Sequence, residues 1–138
     1  MSEITARDVK YLRRAARVAD TSDCSDKHGT IVVRGSNIIA IATNRIATHP
    51  VSKQWLKGTI HSEQRAISRL GEQAKGGTLY TARSHDNPIS KPCEMCETLI
   101  HEAGITKVIY NDGKRLKSFV PKAKKPALKD NAPASLAL

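Results

Sequence analysis

At 138 residues, with 39% hydrophobic and 26% charged, the chain has the size and composition of one soluble globular domain, not of a disordered, fibrous or disulfide-stapled one. No apolar run approaches the roughly 20 residues that cross a bilayer, and the N-terminus lacks a basic segment followed by an apolar one, so a membrane or secreted role is set aside and a cytoplasmic protein expected. The net charge of +10 is uneven, with seven Lys/Arg against one acid from Gly113 onward, which places most of the excess in a tail.

From Thr5 to about Asp20, Val9, Leu12, Ala16 and Ala19 keep helical spacing while Arg13, Arg14 and Arg17 occupy other faces, so an amphipathic helix is predicted. Thr21-Ser22-Asp23 breaks it, and a polar loop runs from Cys24 to His28. Cys24 with His28 makes at most half a metal site, so Cys24 reads as a free thiol. Thr30 to Val33 and Ile38 to Thr43 are β-branched runs on either side of Arg34-Gly35-Ser36-Asn37, the pattern of an antiparallel hairpin. Both runs are nearly continuous in apolar residues, which predicts a sheet covered on both faces. Asn44 ends the second run; its amide offers a donor and an acceptor to a ligand, although a turn residue is the plainer reading. Arg45 to Gly58 is a long polar connection containing Pro50 and Trp55. Because it leads into His61, it reads as a wall of the substrate pocket.

Ala66, Ile67 and Leu70 then give a second helix from His61 to about Leu70, with His61 and Glu63 in its first turn. Gly76-Gly77 resets the chain before a third strand, Thr78 to Ala82, and a second polar loop, Arg83 to Lys91. Pro92-Cys93-Glu94-Met95-Cys96 opens a third helix with Leu99, Ile100 and Ala103 on its buried side and Gly104 as its left-handed stop. Ile105 to Tyr110 is a fourth strand. Past Gly113 the prolines and lysines leave only a short apolar piece at Phe119 and Val120, so the expected division is a domain over residues 1–112 and a basic, Pro/Lys-rich tail over 113–138. Such a tail is expected to be solvated, with weak nucleic-acid contact as the alternative.

The chemistry lies between His61 and Cys96. Zinc takes nitrogen and thiolate ligands in a tetrahedron, and a catalytic site supplies three of them and leaves the fourth position to water. His61, Cys93 and Cys96 are such a set. Cysteines three apart at the start of a helix share a face, and the partial positive charge there favours the thiolate that binds metal. Glu63, two residues from His61, is better placed beside the metal as an acid/base than on it. Taken singly, these residues read as buried thiols and a cap histidine; the combination is what is specific.

His61-Ser62-Glu63 followed by Pro92-Cys93-Glu94-Met95-Cys96 resembles the signature of the zinc-dependent cytidine and deoxycytidylate deaminase superfamily. With Lys27-His28-Gly29, the strand ending in Asn44, and Cys93 to Tyr110 with its Ala103-Gly104-Ile105 step, the chain is most similar to the dCMP- and CMP-type nucleotide deaminases, from about Tyr11 to Asp112. The resemblance implies an α/β fold, a three-layer αβα sandwich around a central mixed sheet, with Zn2+ as cofactor. It also implies Asn44 at the sugar or base, the Ser62 backbone amide on the pyrimidine carbonyl and Glu63 as proton shuttle. The implied reaction converts dCMP or CMP to the uracil nucleotide with release of ammonia, in a homo-oligomer whose neighbours complete one another's pockets. Two departures stand out. Ser62 replaces the common Ala between the histidine and the glutamate. Thr43-Asn44-Arg45 lacks the acid of a ribose-binding Asn and Glu pair, which argues against free cytidine. Among Arg45, Lys53, Lys57, Arg83 and Lys91, the favoured cations for a 5′-phosphate are Arg45 and Arg83. A rival reading is a polynucleotide deaminase acting on tRNA adenosine or single-stranded DNA cytosine, gripping a strand through the tail and Trp55; 4% aromatics is sparse for a stacking platform. A catalytically silent binding module is a third reading, and the intact Glu63 weighs against it.

Overall fold

Thr5 starts the first helix by closing a capping box. Its hydroxyl accepts the Asp8 amide while the Asp8 carboxylate accepts the Thr5 amide, which satisfies two of the donors every helix start leaves open. The computed structural model describes residues 4–46, 59–84 and 89–122. In chain order its elements are α1 (Ala6–Ala19), β1 (His28–Arg34), β2 (Asn37–Thr43), β3 (Arg45–Ile46), β4 (Thr59–Ile60), α2 (Ser62–Leu70), a 3-10 turn (Gly71–Ala74), β5 (Thr78–Arg83), α3 (Glu94–Glu102), β6 (Lys107–Asp112) and β7 (Arg115–Phe119).

The main sheet runs β2-β1-β5-β6-β7. Only β5 and β6 are parallel, joined over α3; the other pairs are antiparallel, so the sheet is mixed as expected. Strand alternation divides its side chains between two cores. Ile31, Val33, Tyr80, Ala82 and Ile109 pack with Leu12 and Ala15 of α1. Val32, Leu79 and Val108 pack on the other face with Ala66 and Leu70 of α2 and Ile100 of α3. The result is the three-layer α/β sandwich. Gly29 lets α1 lie close: a Cβ there would sit 2.4 Å from the Ala15 carbonyl oxygen and 2.5 Å from the Ala19 nitrogen. Gly104, at φ +85°, ends α3 in the left-handed region as its position predicted.

Three details depart from the sequence reading. β1 is buried through most of its length, but β2 is an edge strand, with Ile41 38% exposed, so the sheet is not covered on both faces there. Arg45–Ile46 and Thr59–Ile60 form a two-stranded ladder, which holds together the ends of the long connection read as pocket wall. The connection between them, with Pro50, Lys53, Trp55 and Lys57, lies outside the described residues. The boundary after Asp112 also moves. β7 adds to the main sheet across Gly113, Phe119 packs against the α2/α3 core, and the Lys122 amide donates to the Glu97 carboxylate on α3 at 3.1 Å. The segment through Lys122 is therefore part of the domain, and residues 123–138 lie outside the described ones.

Candidate active site

The site forms where α2 and α3 begin. His61 is the cap residue of α2, in extended backbone, and its side chain makes no capping bond, so the imidazole is directed elsewhere. Cys93 holds the equivalent place on α3, one residue before the helical turn the sequence suggested, and its sulfur accepts the Cys96 amide at 3.4 Å. Cys96, one turn in, is fully buried. The His61 Nδ1 lies 3.1 Å from the Cys96 sulfur and 3.7 Å from the Cys93 sulfur, and the three ligand atoms all lie within 4.8 Å of one another.

These distances fit zinc. Bonds of about 2.0 Å to nitrogen and 2.3 Å to sulfur give tetrahedral N···S edges of about 3.5 Å, between the two observed. Burial pushes the Cys96 thiol above its usual range, and the nearby Glu63 and Cys93 charges push the same way. A bare thiolate is disfavoured in that position; a divalent cation offsets the burden and displaces the proton. Among the described residues, no other group of three such ligands lies together.

Glu63, 1% exposed, is not in the ligand group but is close enough to act electrostatically on Cys96. Its Oε1 accepts a hydrogen bond from the Ser62 hydroxyl at 3.3 Å. The Ser62 backbone N–H belongs to the first residue of α2, so it has no acceptor one turn back in the helix.

The remaining sequence candidates are placed less simply. The Asn44 side chain ties down the loop before β1: Oδ1 accepts from the Ser22 hydroxyl at 2.7 Å and the His28 amide at 3.0 Å, while Nδ2 donates to the Asp26 carbonyl at 2.6 Å. Among the described residues, three of its four hydrogen-bonding positions are thus used, leaving one N–H. Arg83 pairs with the Asp26 carboxylate at 3.1 Å. Arg45 is exposed at the start of the β3/β4 ladder. Cys24 is a buried free thiol, as expected.

Sequence reasoning did not single out Thr30 or Thr81, and it named His28 only beside Cys24 as half a metal site and within Lys27-His28-Gly29. Thr30 sits two residues from Val32, on the α2/α3 face of β1, and reaches the Ser62 hydroxyl at 2.7 Å. The His28 Nε2 is buried and has no hydrogen-bond partner among the described residues. Burial pulls its imidazole below the usual value, opposed by Glu63 and reinforced by Arg83, so it is neutral at pH 7. The available signal was period two: positions 28, 30 and 32 share a strand face, and two are polar in an otherwise apolar run.

Comparison with known proteins agrees with this geometry. The apo dCMP deaminase from the cyanophage S-TIM5 superposes with a TM-score of 0.59 at 25% identity, over 74% of this chain and 79% of that one. The same enzyme in complex with dCMP and dUMP gives 0.56 at 22%, over 78% and 83%. Cytidine deaminase from Burkholderia pseudomallei gives 0.63 at 14% identity, over 82% and 91%, which is a likeness of fold. A search of curated protein sequences finds no match. The model of the cytidine and deoxycytidylate deaminase zinc-binding region matches residues 5–112, and it contains every residue of the His61, Glu63, Cys93 and Cys96 constellation. The chain belongs to the cytidine and deoxycytidylate deaminase family.

Proposed function

We propose that the protein hydrolyses the exocyclic amine of a cytosine nucleotide, dCMP or CMP, giving the uracil nucleotide and ammonia. The observation that carries this reading is the convergence of His61 Nδ1 and the Cys93 and Cys96 sulfurs at a depth where Glu63 is buried beside them. The S-TIM5 enzyme, crystallised with dCMP and dUMP, supports a nucleotide over a free nucleoside. So does the absence of an acid beside Asn44 in Thr43-Asn44-Arg45.

His61, Cys93 and Cys96 would hold the zinc, which supplies a water acidified to near neutrality. Glu63 takes a proton from the attacking water as its oxygen adds to C4. Glu63 passes that proton to ring N3, then takes the second proton from the oxygen added at C4 and delivers it to the amine, so the C4–N bond breaks, ammonia leaves, C4 becomes a carbonyl and the carboxylate is restored. The Ser62 backbone N–H, at the open start of α2, donates to the pyrimidine carbonyl. Asn44 contributes its remaining amide hydrogen to the sugar or base. Arg45 is the freer of the two candidate phosphate cations, because Arg83 already faces Asp26.

The test is ammonia release from cytidine, CMP, dCMP and dCTP, and from cytosine- and adenosine-containing oligonucleotides. Turnover confined to dCMP or CMP is the expected result; turnover confined to an oligonucleotide, with binding that falls steeply with salt, would install the polynucleotide reading that the basic tail motivates. The same reading includes a homo-oligomer in a cytoplasmic setting, and sedimentation as a monomer would remove the first of these. No helix among the described residues is long and apolar enough to cross a membrane.

A further inference from the structure

Ser62 is where the chain departs from the His-Ala-Glu pattern, and its hydroxyl does not face solvent. Ser62 and Thr30 are fully buried, as is Thr81 on the neighbouring strand. The Thr30 Oγ1 lies 2.7 Å from the Ser62 Oγ and 3.2 Å from the Thr81 Oγ1, and the Ser62 hydroxyl donates to the Glu63 Oε1 at 3.3 Å. The three hydroxyls therefore form a continuous line from the central strands β5 and β1 to the carboxylate. Valine or alanine would fill the same space without the cost of burying a hydroxyl, so a polar line kept here is expected to do something a core does not.

We propose that Thr30, acting through the Ser62 hydroxyl and braced by Thr81, is a positioning residue that fixes the rotation of the Glu63 carboxylate. A glutamate has several rotatable bonds, and the one hydrogen bond to it among the described residues, 3.3 Å from its own chain neighbour, restrains it weakly. The 2.7 Å contact to Thr30 fixes the Ser62 oxygen, and the register of β1 with β5, Thr30 opposite Thr81, fixes Thr30. Oε1 is thereby anchored on the sheet side and Oε2 is left to meet the reacting atoms. A misplacement of about 1 Å at such a group costs as much as a hundredfold in rate. The inference rests on Glu63 as the proton carrier.

The experiment uses full-length, zinc-loaded Thr30→Val, Thr30→Ser and Ser62→Ala. Kinetics with dCMP are combined with zinc content, melting temperature and crystal structures. Thr30→Val and Ser62→Ala are expected to lower kcat about tenfold or more while KM and zinc stoichiometry stay near wild type, and Thr30→Ser is expected to restore kcat. In the Thr30→Val crystal the Glu63 carboxylate should turn away from residue 62. A carboxylate that keeps its position overturns the proposal whatever the substrate, as does unchanged kcat in both deletions, loss of zinc in step with activity, or failure of Thr30→Ser to rescue. Failure of the underlying reading looks different: Glu63→Gln would then release ammonia at the wild-type rate.

Discussion

Two carboxylates in this small domain are buried to similar degrees in opposite surroundings. Asp8, 5% exposed, is surrounded by donors: the Thr5 amide, the Tyr80 hydroxyl at 2.7 Å and the Lys107 ammonium at 3.4 Å. Burial alone would raise its pKa, but those donors outweigh it and leave the carboxyl below its usual value. A depressed pKa contributes stability above the unfolded value, about 3.9, and that stability is lost as pH falls through the folded value. Asp8→Asn should therefore melt lower than wild type at pH 7, and the gap should narrow as pH drops below about 4; a gap constant from pH 7 to 3 would contradict the sign. Among the described residues, Glu63 has one hydroxyl donor, and His61, Cys93 and Cys96, placed to hold a metal, lie nearby. Glu63→Gln preserves its shape but cannot carry a proton, so it should keep stoichiometric zinc and lose about 10²–10⁴ in turnover, read by metal analysis and ammonia release. His61, Cys93 and Cys96 were legible because metal chemistry restricts both residue type and spacing. The engagement of Asn44 was not legible, since its partners Ser22, Asp26 and His28 come from a loop whose path no local pattern specifies.

Helices and central strands followed their periodicity. α1, the β1/β2 hairpin, α2, β5, α3 and β6 all lie within a residue or two of where apolar spacing put them, because each buries one face or both against the same sheet. β7 was missed for the complementary reason. Arg115 and Lys117 alternate with Leu116 in a strand at the sheet edge, and with Phe119 beyond them on the other face this resembles a charged loop more than a half-buried strand. The two-residue β3/β4 ladder is too short to leave a pattern. Packing of whole elements can depend on one position that propensity does not flag, and Gly29 is such a position. A methyl group there would meet α1 backbone, which cannot swing aside as a side chain can. Gly29→Ala should push α1 away from β1 and cost about 1–3 kcal/mol, a fall in Tm of several degrees by calorimetry. An unchanged Tm would mean that α1 is not held as closely as the Ala15 and Ala19 distances require.

At the scale of the molecule, the question is where the domain stops and the basic segment becomes dispensable. The sequence reading cut at Gly113 and expected a solvated tail beyond it, yet the segment just past that point carries structure. β7 completes the sheet beside β6, Phe119 stacks edge-on against Tyr110 with ring centroids 5.9 Å apart, and the Lys122 amide reaches Glu97 on the same helix that carries Cys96. A chain ended after Asp112 leaves β6 as an unpaired edge and uncovers part of the α2/α3 core. It should melt well below wild type or aggregate, and its zinc content should fall because α3 loses a support. A chain ended after Lys122 removes three of the seven basic residues past Gly113, Lys124, Lys125 and Lys129, keeps the other four, and leaves β7 in the sheet. That shorter cut should leave Tm, zinc content and dCMP turnover near wild type. If it folds with its zinc and loses turnover, the residues after Lys122 take part in holding the substrate, and a strand-binding deaminase becomes the better reading.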